Sequence, residues 1–282
     1  TTLSILTGDV HATGGDASVC GYSVRTEIRN VQQRIGYCPQ VDPLLGYLTG
    51  REQLLMYARL KGIPSRHLET HVDSILCQVS IPLEMARRCC YTYSGGNKRK
   101  LALAMALVGH PGAVFLDEPS SGMDPQSRRA MWDTIEASTE GVSVVLTTHS
   151  MEECQALCTR VGIMSEARLL CIGSPQHLRS KFGTGYRIEA HVKDHESQRR
   201  LTDLIRSAFE RVTVEEEHLG RVTYCLPIQG TSLAAAFSSM EAAKSGGLVR
   251  DYSISQPTLE QVFVSLTNKD GGMGRGGEHD DD

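Results

Sequence analysis

The residues best suited to chemistry in this chain stand at the ends of apolar runs. In AVFLDEP, Asp117 and Glu118 close the run Ala113 to Leu116. A short, continuously apolar run reads as a strand buried on both faces, and the carboxyl end of such a strand is where open parallel sheets meet their ligands. A carboxylate pair there can hold a cation and act on a water. In a nucleoside triphosphatase the Asp holds Mg2+ against the phosphates and the Glu orients or deprotonates the attacking water. Taken alone, the pair reads equally as a solvated acidic turn ahead of Pro119. A second run, VSVVLTTHS, carries His149 at its end. In parallel neighbours both ends face one crevice, where a His could bond a terminal phosphate and the catalytic water. The plainer reading is a residue that precedes a helix cap built by Ser150 and Glu153.

A third cluster is Ser94-Gly95-Gly96-Asn97, followed at once by Lys98, Arg99 and Lys100. Cations oppose the macrodipole at a helix start, by about 0.3 to 1 kcal/mol each when exposed, unless an anion sits in front of them. Two glycines admit close backbone approach, and free N–H groups point outwards, as a phosphate site requires. An ordinary Ser-capped helix with a solvated basic face explains the same residues.

The elements that must position these groups follow from periodicity and punctuation. Thr1 to Thr7 is a helix tail stopped by Gly8, and Gly14-Gly15 turns the chain towards a strand near Ala17 to Cys20. Val31 to Gln40 holds a helix end and the strand IGYC, placing Gln40 at a strand end. Thr49 to Lys61 and Ser65 to Val79 are helical, the first opened by a Thr49/Glu52 capping box and stopped by Gly62 and Pro64. From Ser94 helices and apolar strands alternate, predicting a βαβ unit and a parallel sheet covered on both faces.

After Gly183 the pattern becomes β-α-β-β-α-β: YRIEAHVK, Ser197 to Phe209, TVEEEHL, RVTYCLPI, Ser232 to Ala243 and VRDYSIS. That is the order of a ferredoxin-like split βαβ module. TLEQVFVSLT closes as a helix, with Val262, Phe263 and Leu266 as its apolar anchor, and a Gly-rich acidic tail follows. Glu215, Glu216 and Glu217 alternate faces along a strand, so they cannot converge on one metal.

Composition removes other classes. The 282 residues are 40% hydrophobic and 22% charged, enough for one large or two small globular domains, and the net charge of -4 excludes broad phosphate neutralisation and hence a nucleic-acid binder of that kind. Nine cysteines lie scattered without C-x-x-C pairs, which reads as reduced thiols and no zinc ribbon; Cys154 and Cys158, one turn apart, read as core packing. No apolar run of about 18 residues is present, so any membrane role comes through a partner.

In order, Gln40 after a strand, a helical segment, SGGN, LDEP, SGMDP at Ser121 to Pro125, and the strand-end His149 resemble the ABC ATPase family, as its Q-loop, signature, Walker B, D-loop and H-loop. YSGGNKRKLALAMALVG, FLDEPSSGMDP and TLEQVFVSL resemble the A subfamily of ABC transporters in particular. The resemblance implies an α/β fold: a P-loop NTPase-type parallel sheet over 1–183 with a helical insert at about 45–110, a ferredoxin-like α+β regulatory module over 184–268, and a disordered tail over 269–282. It implies an ATPase, ATP + H2O to ADP + phosphate, driving transmembrane transport, of lipids in many such proteins.

By the same resemblance, Glu118 and His149 are catalytic, and Asp117 with Gln40 serves Mg2+. Gln40 also couples nucleotide to the transmembrane domains, while Ser94, Gly95, Gly96, Asn97 and Asp124 face ATP held by an opposing nucleotide-binding domain in a head-to-tail sandwich. The phosphate-binding loop G-x-x-x-x-G-K-[ST] and the adenine-stacking aromatic are expected ahead of Thr1. Thr1 and Thr2 are then what stands at the phosphate edge, and the isolated fragment is expected to be inactive. Asn97 replaces the usual Gln and Tyr93 the usual Leu, both of which the subfamily tolerates. The expected location is the cytoplasmic face of a membrane, through the transmembrane domains. Two other readings compete: a soluble ABC ATPase of DNA maintenance or translation, disfavoured by the short insert and acidic charge, and a non-catalytic module that works by binding.

Overall fold

The computed structural model describes residues 1–183, 185–218, 220–227 and 232–273, with backbone alone at 215–218 and 268–273. The chain divides into two compact units, Thr1–Leu157 and Cys158–Asp282.

The first unit begins with α1 (Thr2–Thr7), stopped by Gly8 in the left-handed conformation at φ 86°. There follow a small hairpin, β1 (Ser18–Val19) with β2 (Tyr22–Ser23), then α2 (Ile28–Arg34) and β3 (Ile35–Cys38). Helices α3 (Gly50–Leu60), α4 (Leu68–Gln78), α5 (Leu83–Ala86) and α6 (Gly95–Leu107) lead to β4 (Ala113–Asp117). Then come α7 (Pro125–Ser138), β5 (Ser143–Thr147) and α8 (Met151–Leu157). The Thr49/Glu52 capping box opens α3 as its sequence requires.

Strands β3, β4 and β5 form a parallel sheet in that order, with Cys38 opposite Leu116 and Asp117 opposite Thr147. Its central strand β4 buries Ala113 to Leu116, and α6 buries every residue from Leu101 to Leu107. Leu3, Val31, Ile35 and Phe115 make a separate apolar cluster that ties α1 and α2 to the sheet. The expectation of two fully covered strands holds for β4 only. As the outer strand of the three, β5 leaves Val145 45% exposed.

In the second unit, a hairpin of β6 (Val161–Ser165) and β7 (Arg168–Gly173) precedes α9 (Pro175–Phe182). Next come β8 (Tyr186–Val192), α10 (His195–Ala208), β9 (Thr213–His218), β10 (Arg221–Leu226), α11 (Leu233–Ser245), β11 (Val249–Ser255) and α12 (Leu259–Met273). The antiparallel sheet runs β11-β8-β10-β9, which counted within the module is 4-1-3-2, the ferredoxin-like order. Ile188, Leu201, Ile205, Val222, Tyr224 and Met240 form its core.

Helix α12 continues past Thr267, where the sequence reading ended it, because each further residue of an established helix adds a hydrogen bond. The acidic tail from 274 onward and the side chains of Glu215, Glu216 and Glu217 lie outside the described residues. Val262, taken as a docking anchor, is fully buried inside its own unit, while Phe263 is half-buried. Among the described residues no helix is long and apolar enough to cross a membrane.

Candidate functional site

The parallel register of β4 and β5 dictates the site. With Asp117 opposite Thr147, the next residues of both strands emerge at the same edge, and there Glu118 and His149 meet: His149 Nδ1 lies 2.8 Å from Glu118 Oε2. The imidazole is 77% exposed and the carboxylate 19%. An ion pair so open to water contributes roughly 0 to 1 kcal/mol, so stability alone gives little reason for it. With Nδ1–H donating to the carboxylate, Nε2 is left to meet a ligand.

Asp117 is fixed beside them, its Oδ1 accepting from the Thr147 hydroxyl. Glu118 takes φ +50°, the left-handed region, which for a residue other than Gly or Asn stores about 1 to 3 kcal/mol and is found where surroundings over-determine the backbone. They do so here. The Glu118 N–H donates to Thr147 O at 3.1 Å and approaches Thr147 Oγ1 at 3.3 Å, and the Glu118 carbonyl accepts from the Ser121 N–H and from Arg99.

Arg99 departs from its expected role. It was read as part of a basic turn facing an anion, but its side chain is 6% exposed and points inward. All of α6 beyond Lys100 is buried, so an Arg one turn into that helix falls on a covered face. Its guanidinium donates to the carbonyls of Pro39, Gln40, Asp117, Glu118 and Pro119 and pairs with Asp42 at 3.1 Å.

Gln40 lies exposed beyond β3, its carbonyl engaged by Arg99. The preceding Cys38 is buried, and that burial pushes its thiol up to about 11, so it stays neutral and unreactive. Burial, then the Asp117 charge, also raises Tyr37.

Ser94 caps α6 by accepting from the Asn97 N–H at 3.4 Å. A Cβ on Gly95 or Gly96 would meet nothing within 4 Å, and neither has positive φ. Nothing among the described residues therefore demands glycine at either place, while helix geometry leaves their N–H groups without intrahelical partners. Thr1 and Thr2 are exposed at the start of α1, where Thr1 caps by position without a side-chain hydrogen bond. Asp124 caps α7, its Oδ1 accepting from the Gln126 and Ser127 N–H groups, and the Ser127 hydroxyl and then these backbone bonds hold its carboxyl below the usual range.

His149 is held from behind by α8. Ser150 Oγ accepts from the Glu153 N–H, but the other half of the expected capping box is absent. The Glu153 carboxylate, buried, instead accepts from Trp132 Nε1 at 3.0 Å, tying α8 to α7. Thr147 and Trp132 went unnoticed in the sequence, and Arg99 was noticed only as one of three cations in the basic turn.

A parallel sheet with a carboxylate–imidazole pair at its carboxyl edge and an open glycine helix start is the arrangement that the resemblance to ATP-binding-cassette nucleotide-binding domains implies. Residues 1–121 match the family described as ABC transporter, and 183–256 the one described as ABCA1-like, C-terminal R1 regulatory domain. The chain is 48% identical over 272 residues to human (Homo sapiens) phospholipid-transporting ATPase ABCA3, covering 95% of this chain and 16% of that protein. It is 46% identical over 269 residues to ATP-binding cassette sub-family A member 17 of Mus musculus, covering 94% and 16%. Among solved structures, cbiO1 from Clostridium perfringens, part of the ABC transporter complex cbiONQ, shares the fold at TM-score 0.58 and 22% identity, covering 64% of this chain and 74% of that one. The chain thus carries an ABC transporter domain followed by an ABCA1-like R1 domain, and these relatives are members of sub-family A. It spans about a sixth of the length of these A-subfamily relatives.

Proposed function

We propose that this chain is the ATP-hydrolysing part of a lipid transporter, coupling ATP + H2O to ADP + phosphate with movement driven through transmembrane domains of the same transporter. The observation that carries the reading is the Glu118–His149 pair at neighbouring parallel strand ends, with Asp117 anchored beside it. A base, a hydrogen-bond donor and a cation ligand converge there.

In this reading Glu118 accepts the proton of the attacking water, and His149 holds that water and the γ-phosphate through Nε2. Asp117 and the Gln40 carboxamide would hold Mg2+, which when bound neutralises charge on the phosphates. The donor chemistry fits: both ligands would be oxygens. Such a sparse set suits a hard cation whose shell substrate and water complete.

Ser94, Gly95, Gly96 and Asn97 point outward and would receive the γ-phosphate of ATP on a second nucleotide-binding domain arranged head to tail. Thr1 and Thr2 would lie at the phosphate edge, and Asp124, which caps α7 through Oδ1, would face the opposing nucleotide. Gln40 would pass the nucleotide state to the transmembrane domains, which would hold the chain at the cytoplasmic face of a membrane. The second unit would regulate.

In the full-length transporter reconstituted in phospholipid vesicles, Glu118→Gln should lower steady-state hydrolysis by about 100-fold or more, since an amide cannot take the water's proton, while MgATP binding stays within a few-fold. Turnover near wild type would remove Glu118 from the role.

A further inference from the structure

The Gln40 loop follows β3 and the Glu118 loop follows β4, and neither motif by itself says how one would learn the position of the other. One side chain touches both. Arg99 reaches from α6 between the two strand ends, and its three nitrogens are shared out by side: Nη1 to Pro39 O, to Gln40 O at 3.3 Å and to Asp42 Oδ1 at 3.1 Å; Nη2 to Asp117 O at 2.7 Å and Glu118 O at 3.2 Å; Nε to Pro119 O at 2.9 Å. The guanidinium is planar and rigid, so a shift of the carbonyls on one edge tilts the donors on the other.

We infer that Arg99 is a positioning residue that locks the Gln40 loop and the Glu118 loop into one arrangement, so that displacement of either moves the other. Two features beyond the bond list support it. The Glu118 backbone sits at φ +50°, a conformation that relaxes unless held, and Arg99 holds its carbonyl. The charge is almost completely covered, its one acidic partner among the described residues being Asp42, which is half-buried. A buried cation dressed mainly by backbone carbonyls of two loops is poorly explained by packing, because a Leu or Met would fill the same volume without needing those acceptors. The same helix begins at Gly95 behind its Ser94 cap, so the lock also carries the two glycines: any motion of the α6 start is delivered to both loops.

The inference rests on the proposed roles of Glu118 and Gln40, and its test keeps the two apart. In the reconstituted full-length transporter, Arg99→Lys keeps the charge but gathers its donors on one nitrogen, which cannot span both loops. Its expected effect is a fall in kcat on the order of 10- to 100-fold, as for a roughly 1 Å misplacement of a catalytic group, with KM for ATP changed less than threefold. Combining Arg99→Lys with Gln40→Ala should be non-additive, the double variant falling little below the slower single one. Asp42→Asn, which loosens one edge of the fork from a partly exposed position, should move kcat the same way to a smaller degree and serves if Arg99→Lys does not fold. Wild-type kcat in Arg99→Lys, additive losses in the double variant, or an Asp42→Asn variant that alters only thermal stability would each overturn the lock. Glu118→Gln is run alongside: if it hydrolyses like wild type, the catalytic assignment fails, whereas an inactive Glu118→Gln beside an additive Arg99 cycle fails the lock alone.

Discussion

Gly96→Ala separates what the fold needs from what the reaction needs. Within the chain the substitution is benign. The new Cβ meets nothing within 4 Å, the backbone has no positive φ, and Gly96 is the second residue of α6. Alanine in a helix is favoured over glycine by roughly 0.5 to 1 kcal/mol in the interior, and less in the first turn. Thermal unfolding should therefore stay level or rise, by no more than about 4 °C for a domain of this size. Hydrolysis should collapse. If the γ-phosphate of an opposing site is to bond the free N–H groups at about 2.9 Å, a methyl group beside them stands in its path. A displacement of about 1 Å at a phosphate suffices for a 100-fold loss. The assay is steady-state phosphate release by the full-length transporter, paired with thermal unfolding of the same preparation. Hydrolysis within twofold of wild type would refute the outward phosphate site. A large drop in unfolding temperature would show that glycine serves the fold after all.

Three further outcomes follow from the packing and the charges. Gly36→Ala puts a methyl group onto the Ala106 carbonyl where β3 crosses α6, backbone against side chain, so it should destabilise by about 1 to 3 kcal/mol or more in thermal or denaturant unfolding. Trp132→Phe strips the indole donor from the buried Glu153 carboxylate and should cost about 1 to 3 kcal/mol, with Glu153→Gln, which keeps an acceptor, milder in the same assay. His71 accepts from the Gly109 N–H through Nε2, and burial, then the neighbouring His110, lower its pKa below the usual 6.5. The unfolded chain then binds the proton first. Stability should fall as pH drops below about 6.5, and the wild-type loss should exceed that of His71→Gln in unfolding curves at pH 7.5 and 5.5.

The strand-ending carboxylates, His149 and the glycine helix start were legible because each sits at a boundary that local chemistry marks: an apolar run giving way to charge, or Ser followed by two glycines. The capping box at Thr49 was legible for the same reason. Arg99 was not, since its meaning depends on which face of α6 is covered and on which loops reach it, and sequence spacing gives neither. Thr147 looked like one more strand residue until the register set it opposite Asp117. Glu153 fitted a capping pattern, but tertiary packing offered its carboxylate the Trp132 donor instead. The order of the four-stranded sheet followed from its β-α-β-β-α-β pattern, while the exposure of β5 reflects its place at the edge.

The most direct test of the central claim is the identity of the nucleotide held by the Glu118→Gln transporter after incubation with MgATP and rapid removal of free nucleotide. If Glu118 is the base that activates water, the variant retains intact ATP at a stoichiometry that wild type does not reach. Bound ADP at wild-type levels would contradict the account and move the base to another residue, His149 first.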